Sequence, residues 1–167
     1  PHAYEDSMKL WLTAVVPALL LSFTHAEAAP AKIMVFNFYL DNTSMEKTSA
    51  AETARLKTIS DELRADLQKS GKYDASVGKH VESASVPQFG KCTDEQRSAA
   101  QKAGAELIAC PWVQKVSNLI LNLNIVIQNA KTGQAMRGGS VDIRGNTDLS
   151  WDRGLKFLLE EHVFQNR

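Results

Sequence analysis

The stretch Leu119-Ile120-Leu121-Asn122-Leu123-Asn124-Ile125-Val126-Ile127-Gln128 alternates with a period of two: Leu119, Leu121, Leu123, Ile125 and Ile127 fall on one side. Ile120, Asn122, Asn124, Val126 and Gln128 fall on the other, which is the pattern of a strand with one face in the core. Lys131-Thr132-Gly133 follows and fits a three-residue hairpin loop with Gly133 in the left-handed position. Closing that loop on Ala130 and Gln134 sets Leu123 opposite Val141, Leu121 opposite Ile143, Asn124 opposite Ser140, Asn122 opposite Asp142 and Ile120 opposite Arg144. Apolar side chains meet apolar and polar meet polar, and a slip of one residue would break both sets.

Working outward toward the amino terminus, Glu106 to Cys110 is a short apolar strand, preceded by a helix opened by the capping box Thr93-Asp94-Glu95-Gln96. The packing side of that helix is read as Ala99, Ala100 and Ala103. Earlier still, Ser49-Ala50-Ala51-Glu52 is a second capping box, and Leu56, Ile59, Leu63 and Leu67 behind it form one helical stripe. Gly71 ends that helix and Tyr73 to Val77 is a brief strand. Lys32 to Phe38 is a continuous apolar run suited to a buried strand, with a polar loop over Asp41 to Thr48 and a long loop over Gly78 to Lys91. After the hairpin, Asn146-Thr147-Asp148-Leu149-Ser150 offers several N-caps for a last helix carrying Trp151, Leu155, Leu158, Leu159 and His162 on one stripe. The order is βαβαβββα, an α+β domain with a mixed sheet and amphipathic helices packed on it.

Lysine 9 followed by the apolar run Leu10 to Phe23 and by His25-Ala26-Glu27-Ala28 has the layout of a secretory signal peptide, with cleavage after Ala28. Pro17 argues against the other reading of this run, a core helix, because it removes a backbone donor. Residues 1–28 are therefore an upstream stretch plus signal, and residues 29–167 the exported domain. Within the latter, 18 basic and 16 acidic residues leave a net charge of +2. Such a balance supports neither nucleic acid nor an anionic membrane surface as partner, and no stretch is suited to stable membrane insertion once the signal is gone. The expected compartment is periplasmic or secreted.

The pattern Ser70-Gly71-Lys72-Tyr73, then Ala103-Gly104-Ala105-Glu106-Leu107-Ile108, resembles the periplasmic domain shared by TolB amino-terminal, CsgG-like and Lpo-type proteins. Gln114-Lys115-Val116-Ser117-Asn118-Leu119-Ile120-Leu121-Asn122-Leu123-Asn124 and Asp142-Ile143-Arg144-Gly145-Asn146-Thr147-Asp148, with Ser150-Trp151, is similar to an uncharacterised family of secreted proteobacterial proteins. Members of that family are sometimes encoded near quinoprotein dehydrogenases, which implies an accessory role in an envelope or periplasmic oxidation system. The resemblance supplies no catalytic residues.

The two cysteines, Cys92 and Cys110, flank the second helix and end the strand behind it, where an oxidising compartment allows a structural disulfide. A redox or metal role has less to stand on, since there is no Cys-x-x-Cys. A metal site from His80, His162 and Cys92 lacks zinc-like spacing. No Gly-x-Ser-x-Gly elbow, phosphate loop or dinucleotide fingerprint occurs, and Asp148 and Asp152 suit a helix start. The reading is therefore non-enzymatic and without a cofactor: an interaction module for a periplasmic protein partner, with a small-ligand or metal-binding protein as the alternative. The candidate interaction face is Asn122, Asn124, Ser140, Asp142 and Arg144, which on solvent terms alone is an ordinary wetted sheet face. Trp151 is assigned to the core rather than to that face.

Overall fold

The computed structural model describes residues 28–77 and 90–165. The expected signal segment before Ala28 and the loop holding His80 lie outside the described residues. Ten elements appear in chain order. Strand β1 covers Ala31–Val35, β2 Tyr39–Asn42, helix α1 Ala50–Lys69, β3 Tyr73–Asp74 and α2 Asp94–Lys102. They are followed by β4 Leu107–Lys115, β5 Ile120–Asn129, β6 Ala135–Arg144 and α3 Asp148–Leu159, which runs into a π-helical turn over Glu160–Phe164. All six strands form one mixed sheet in the order β3-β1-β4-β5-β6, with β2 also paired to β4. The α+β architecture expected from the sequence is the one observed.

Two departures shape the second sheet face. The polar loop expected from Asp41 begins inside a strand, β2, which adds one element to the expected order. And β4 does not stop at Cys110 but runs through Pro111 to Lys115. The reason is a bulge: β1 ends with Val35 beside Ala109, β2 resumes with Tyr39 beside Trp112, and four steps on one side match three on the other. Proline 111 stands at this break in parallel pairing, where a strand best tolerates a missing donor. Helix α1 satisfies the polar groups that the bulge displaces. Ser60 Oγ accepts from the Phe38 N–H at 2.9 Å, while the Arg64 guanidinium donates to the Val35 carbonyl at 3.2 Å and to the Asn37 side chain.

The hairpin holds a third, smaller correction. Its loop closes on Asn129, not Ala130: the Asn129 N–H donates to Gln134 O at 2.9 Å and Gly133 N–H to Asn129 O at 2.8 Å. The Asn129 carboxamide accepts from the Lys131 and Thr132 N–H groups, which caps a loop one residue longer. A register shift between Ile127 and Gln128, with Met136 as the extra residue, then restores the expected pairing. Beyond it Leu123 faces Val141, Asn124 Ser140, Asn122 Asp142, Leu121 Ile143 and Ile120 Arg144.

One sheet face packs on α1 and α3. Ile59, Leu63 and Leu67 of α1, Leu121, Leu123 and Ile125 of β5, and Trp151, Leu155 and Leu158 of α3 share this core. Trp151 is fully buried, as expected, and its indole N–H donates to Asn146 Oδ1 at 3.0 Å. All three helices start on capping boxes, at Ser49, Thr93 and Thr147. On the other face α2 covers only one end, above Met34, Phe36, Ile108, Cys110 and Val126. Ala100 makes that contact, with Gln96 buried beside it, whereas Ala103 is exposed. A disulfide joins Cys92 and Cys110, with the Cα atoms 5.7 Å apart, and ties α2 to β4.

Candidate functional site

The end of the second face that α2 leaves uncovered is laid out by strand pairing. One row across the sheet runs Asp41, Gln114, Asn122, Asp142, and the next Tyr39, Trp112, Asn124, Ser140. Ile120 and Arg144 extend the face at its far end. The structure thus places all five sequence-predicted face residues on one side of β5 and β6. It adds Tyr39, Asp41, Trp112 and Gln114, which the sequence reading left out because β4 was ended at Cys110. The signal was present in Trp112 and Gln114 alternating with Val113 and Lys115.

Much of the ladder is satisfied internally. Asn122 Nδ2 donates to Asp142 Oδ1 at 2.6 Å, Ser140 Oγ donates to Asn122 Oδ1 at 2.8 Å, and Asn124 Nδ2 donates to the Asn122 carbonyl at 3.2 Å. Asn124 is only 7% exposed, and among the described residues its Oδ1 accepts no hydrogen bond. It lines a cleft of about 570 Å³ together with Trp112, Ser140, Gly138 and His162. At Gly139 the His162 ring lies where a side chain would otherwise stand, so this part of β6 is open to glycine alone.

Beneath the opposite face at the same end lies a polar network that the sequence reading missed. Lys115 occupies a core-facing position in β4 and is 1% exposed, as is Glu52 of the first capping box. Lys115 Nζ lies 2.6 Å from Glu52 Oε1 and 3.2 Å from Glu46 Oε2. Asn146 Nδ2 donates to Glu52 Oε1 at 2.7 Å, and the Ser49 N–H donates to Glu52 Oε2 at 2.7 Å. Arg55 completes the set by donating to Asp148 Oδ1 and Asn146 Oδ1. Burial on its own would raise the Glu52 carboxyl, but hydrogen bonds from Lys115, Ser49 and Asn146 hold it at about 2. Burial likewise opposes the charge on Lys115, and the two glutamates outweigh it and raise its pKa. The legible signal was a lysine on the apolar register of a strand, which requires a buried acid.

The catalytic constellations weighed from sequence do not assemble. Asp148 and Asp152 line one cleft of about 550 Å³ between α1 and α3, but each is engaged by a cation, Asp148 by Arg55 at 2.6 Å and Asp152 by Lys156 at 2.7 Å. Cys92, spent in the disulfide, has no thiolate to give a metal, and its other proposed co-ligand His80 lies outside the described residues. Among the described residues no group of three His, Cys, Asp or Glu is placed to hold a metal ion, and no helix is long and apolar enough to cross a membrane.

What the fold and face define is a small α+β domain with a half-covered sheet. The chain belongs to the family described as a protein of unknown function (DUF2380), whose model matches residues 31–163. This agrees with the recognition made on Gln114 to Asn124 and Asp142 to Trp151. No curated protein matches the sequence. Among solved structures it is similar to PelC of Paraburkholderia phytofirmans, a dodecamer, at 12% identity and a TM-score of 0.52, covering 80% of this chain and 88% of that one. It is also similar to the LpoB C-terminal domain of Salmonella enterica, at 15% identity and a TM-score of 0.46, covering 72% and 87%. At such identities the likeness concerns the fold.

Proposed function

We propose that this domain is a non-enzymatic interaction module of the cell envelope, acting in the periplasm or outside the cell. It recognises a protein partner through the half-covered sheet face of Asn122, Asn124, Ser140, Asp142 and Arg144, joined by Trp112. The observation that carries this reading is Asn124. Its Oδ1 takes no hydrogen bond from the described residues and opens to the cleft beside the half-buried Trp112, so it is an acceptor that a partner's donor can take over from water. Aromatic anchors ringed by polar groups are the usual anatomy of an interface core. The envelope setting is supported by the signal-like run Leu10 to Phe23 and by the disulfide. The narrower setting, an accessory of an oxidation system, rests only on the family resemblance.

The test is crosslinking capture by the exported chain in its native host, compared with an Asn122→Ala/Asp142→Ala double variant. These two side chains bond to each other, so removing both leaves no orphaned partner between them. The fold should hold and the captured protein should disappear. Unchanged capture returns the ladder to a wetted surface. Saturable uptake of a small solute in the Trp112 cleft, without any protein partner, would favour the ligand-binding alternative.

A further inference from the structure

Strand β6 ends the sheet, and no described strand pairs with its outer edge. Such an edge presents unpaired backbone groups and is a template for another strand. Helix α3 runs alongside it at close range: Gly154 packs so tightly on Ile143 that a side chain there would overlap it. Between them lies a groove of about 600 Å³, lined by Val141, Asp142 and Ile143 from the strand and by Leu149, Arg153 and Phe157 from the helix. The last three residues are four apart and share one helical stripe. Leu149 and Phe157 are 56% and 52% exposed, large values for such side chains in a helix that otherwise buries Trp151, Leu155 and Leu158. Arg153 stands between them, and Arg144 lies at the end of the same groove. Among the described residues neither guanidinium is in ion-pair distance of a carboxylate, because Asp148 is engaged by Arg55 and Asp152 by Lys156.

We propose that the β6–α3 groove is a second docking site, which takes an extended segment of a partner protein by strand addition. The segment places apolar side chains on Leu149 and Phe157 and an acidic one on Arg153. Strand addition supplies affinity through the backbone, and alternate side chains supply the choice of partner. The acidic requirement follows from Arg153, the groove's cation on the helix side, since Asp142 offsets Arg144 on the strand side; the apolar flanks follow from the helix stripe. A second copy of this chain is a poor occupant: its own edge strand carries Arg137 and Arg144 against one acid, Asp142, and so brings net positive charge toward Arg153. The proposal extends the interaction reading; the two surfaces meet at Asp142 and Arg144 on β6, but Leu149, Arg153 and Phe157 line the groove alone and Asn122 belongs to the ladder alone, so either surface can fail alone.

The probe is a nine-residue peptide with Val, Glu and Val at positions 2, 4 and 6 and threonine elsewhere, so that all three side chains fall on the α3 side of the added strand, titrated onto the full chain by fluorescence anisotropy. Two controls are used: the same peptide with lysine for glutamate, and one with a central proline. The acidic peptide should bind at least ten-fold more tightly than either control. Arg153→Glu, an exposed change verified for folding by its thermal transition, should abolish that preference and admit the lysine peptide. Leu149→Ser/Phe157→Ser should weaken binding ten-fold or more, while Asn122→Ala, which lies outside the groove, should leave it unchanged. Equal binding of acidic and lysine peptides, or an Arg153→Glu variant that binds as wild type, overturns the proposal. So does self-association of the peptide-free chain that Arg153→Glu abolishes, since the occupant would then be a second copy.

Discussion

Lysine 115 and Glu52 are a buried pair of opposite charges with 1% exposure each, and their value to the fold lies in being broken only at high cost. Removing one partner leaves an uncompensated charge, which costs roughly 3–5 kcal/mol in comparable settings. Lys115→Met should therefore destabilise by about that amount in urea unfolding at neutral pH. Acid exposes the same coupling. The Glu52 carboxyl sits at about 2 in the folded chain against an ordinary 4.5, so its contribution is complete above pH 4.5 and is lost as pH falls toward 2. Unfolding free energy measured across that window should fall by up to about 3 kcal/mol on account of this group. In Lys115→Met the acid limb should be visibly shallower. An equally steep limb would mean that Ser49 and Asn146 alone hold the carboxylate down.

At the scale of elements, legibility followed from how much each signal depends on neighbours. The β5–β6 pairing was readable because alternation and polar matching constrain each other, and only the loop closure differed. There the Asn129 carboxamide chose the loop, and the bulge at Met136 absorbed the difference. Strand β2 was not readable: Tyr39 to Asn42 has no apolar period of its own and is a strand because β4 continues past Pro111 to receive it. The face therefore looked two strands wide in the sequence and is four wide in the fold. The two halves of the α2 connection are similar in kind. Helix and strand were both legible, and the disulfide between them closes an 18-residue separation. Replacing both cysteines by serine should cost about 3 kcal/mol by thermal or denaturant unfolding, largely through a less restricted unfolded chain. A loss below about 1 kcal/mol would show that α2 is held by Ala100 and Gln128 packing without the bond.

Taken whole, the molecule has one closed face and one open one. Helices α1 and α3 seal the first around Trp151, and the polar network of Glu52, Lys115 and Asn146 ties their amino-terminal ends to β4. The second is sealed by α2 at one end and left as a polar and aromatic surface at the other, while β6 leaves the sheet open along one side. The residues that hold the core are thus largely separate from the proposed recognition surface, which could vary without loss of the core. The separation extends to the amino terminus. Residues 28–30 are exposed, β1 begins at Ala31, and the family match begins at the same residue. A chain starting at Ala29, as expected if cleavage follows Ala28, would keep every described strand and helix. A chain beginning at Ala29 should unfold within about 0.5 kcal/mol of the longer one, the spread expected for changes outside the core. In a native host, mass spectrometry of the exported protein should find its terminus near Ala29. A shortened chain that loses several kcal/mol would make the apolar run Leu10 to Phe23 part of the domain, and the envelope assignment would fall with it.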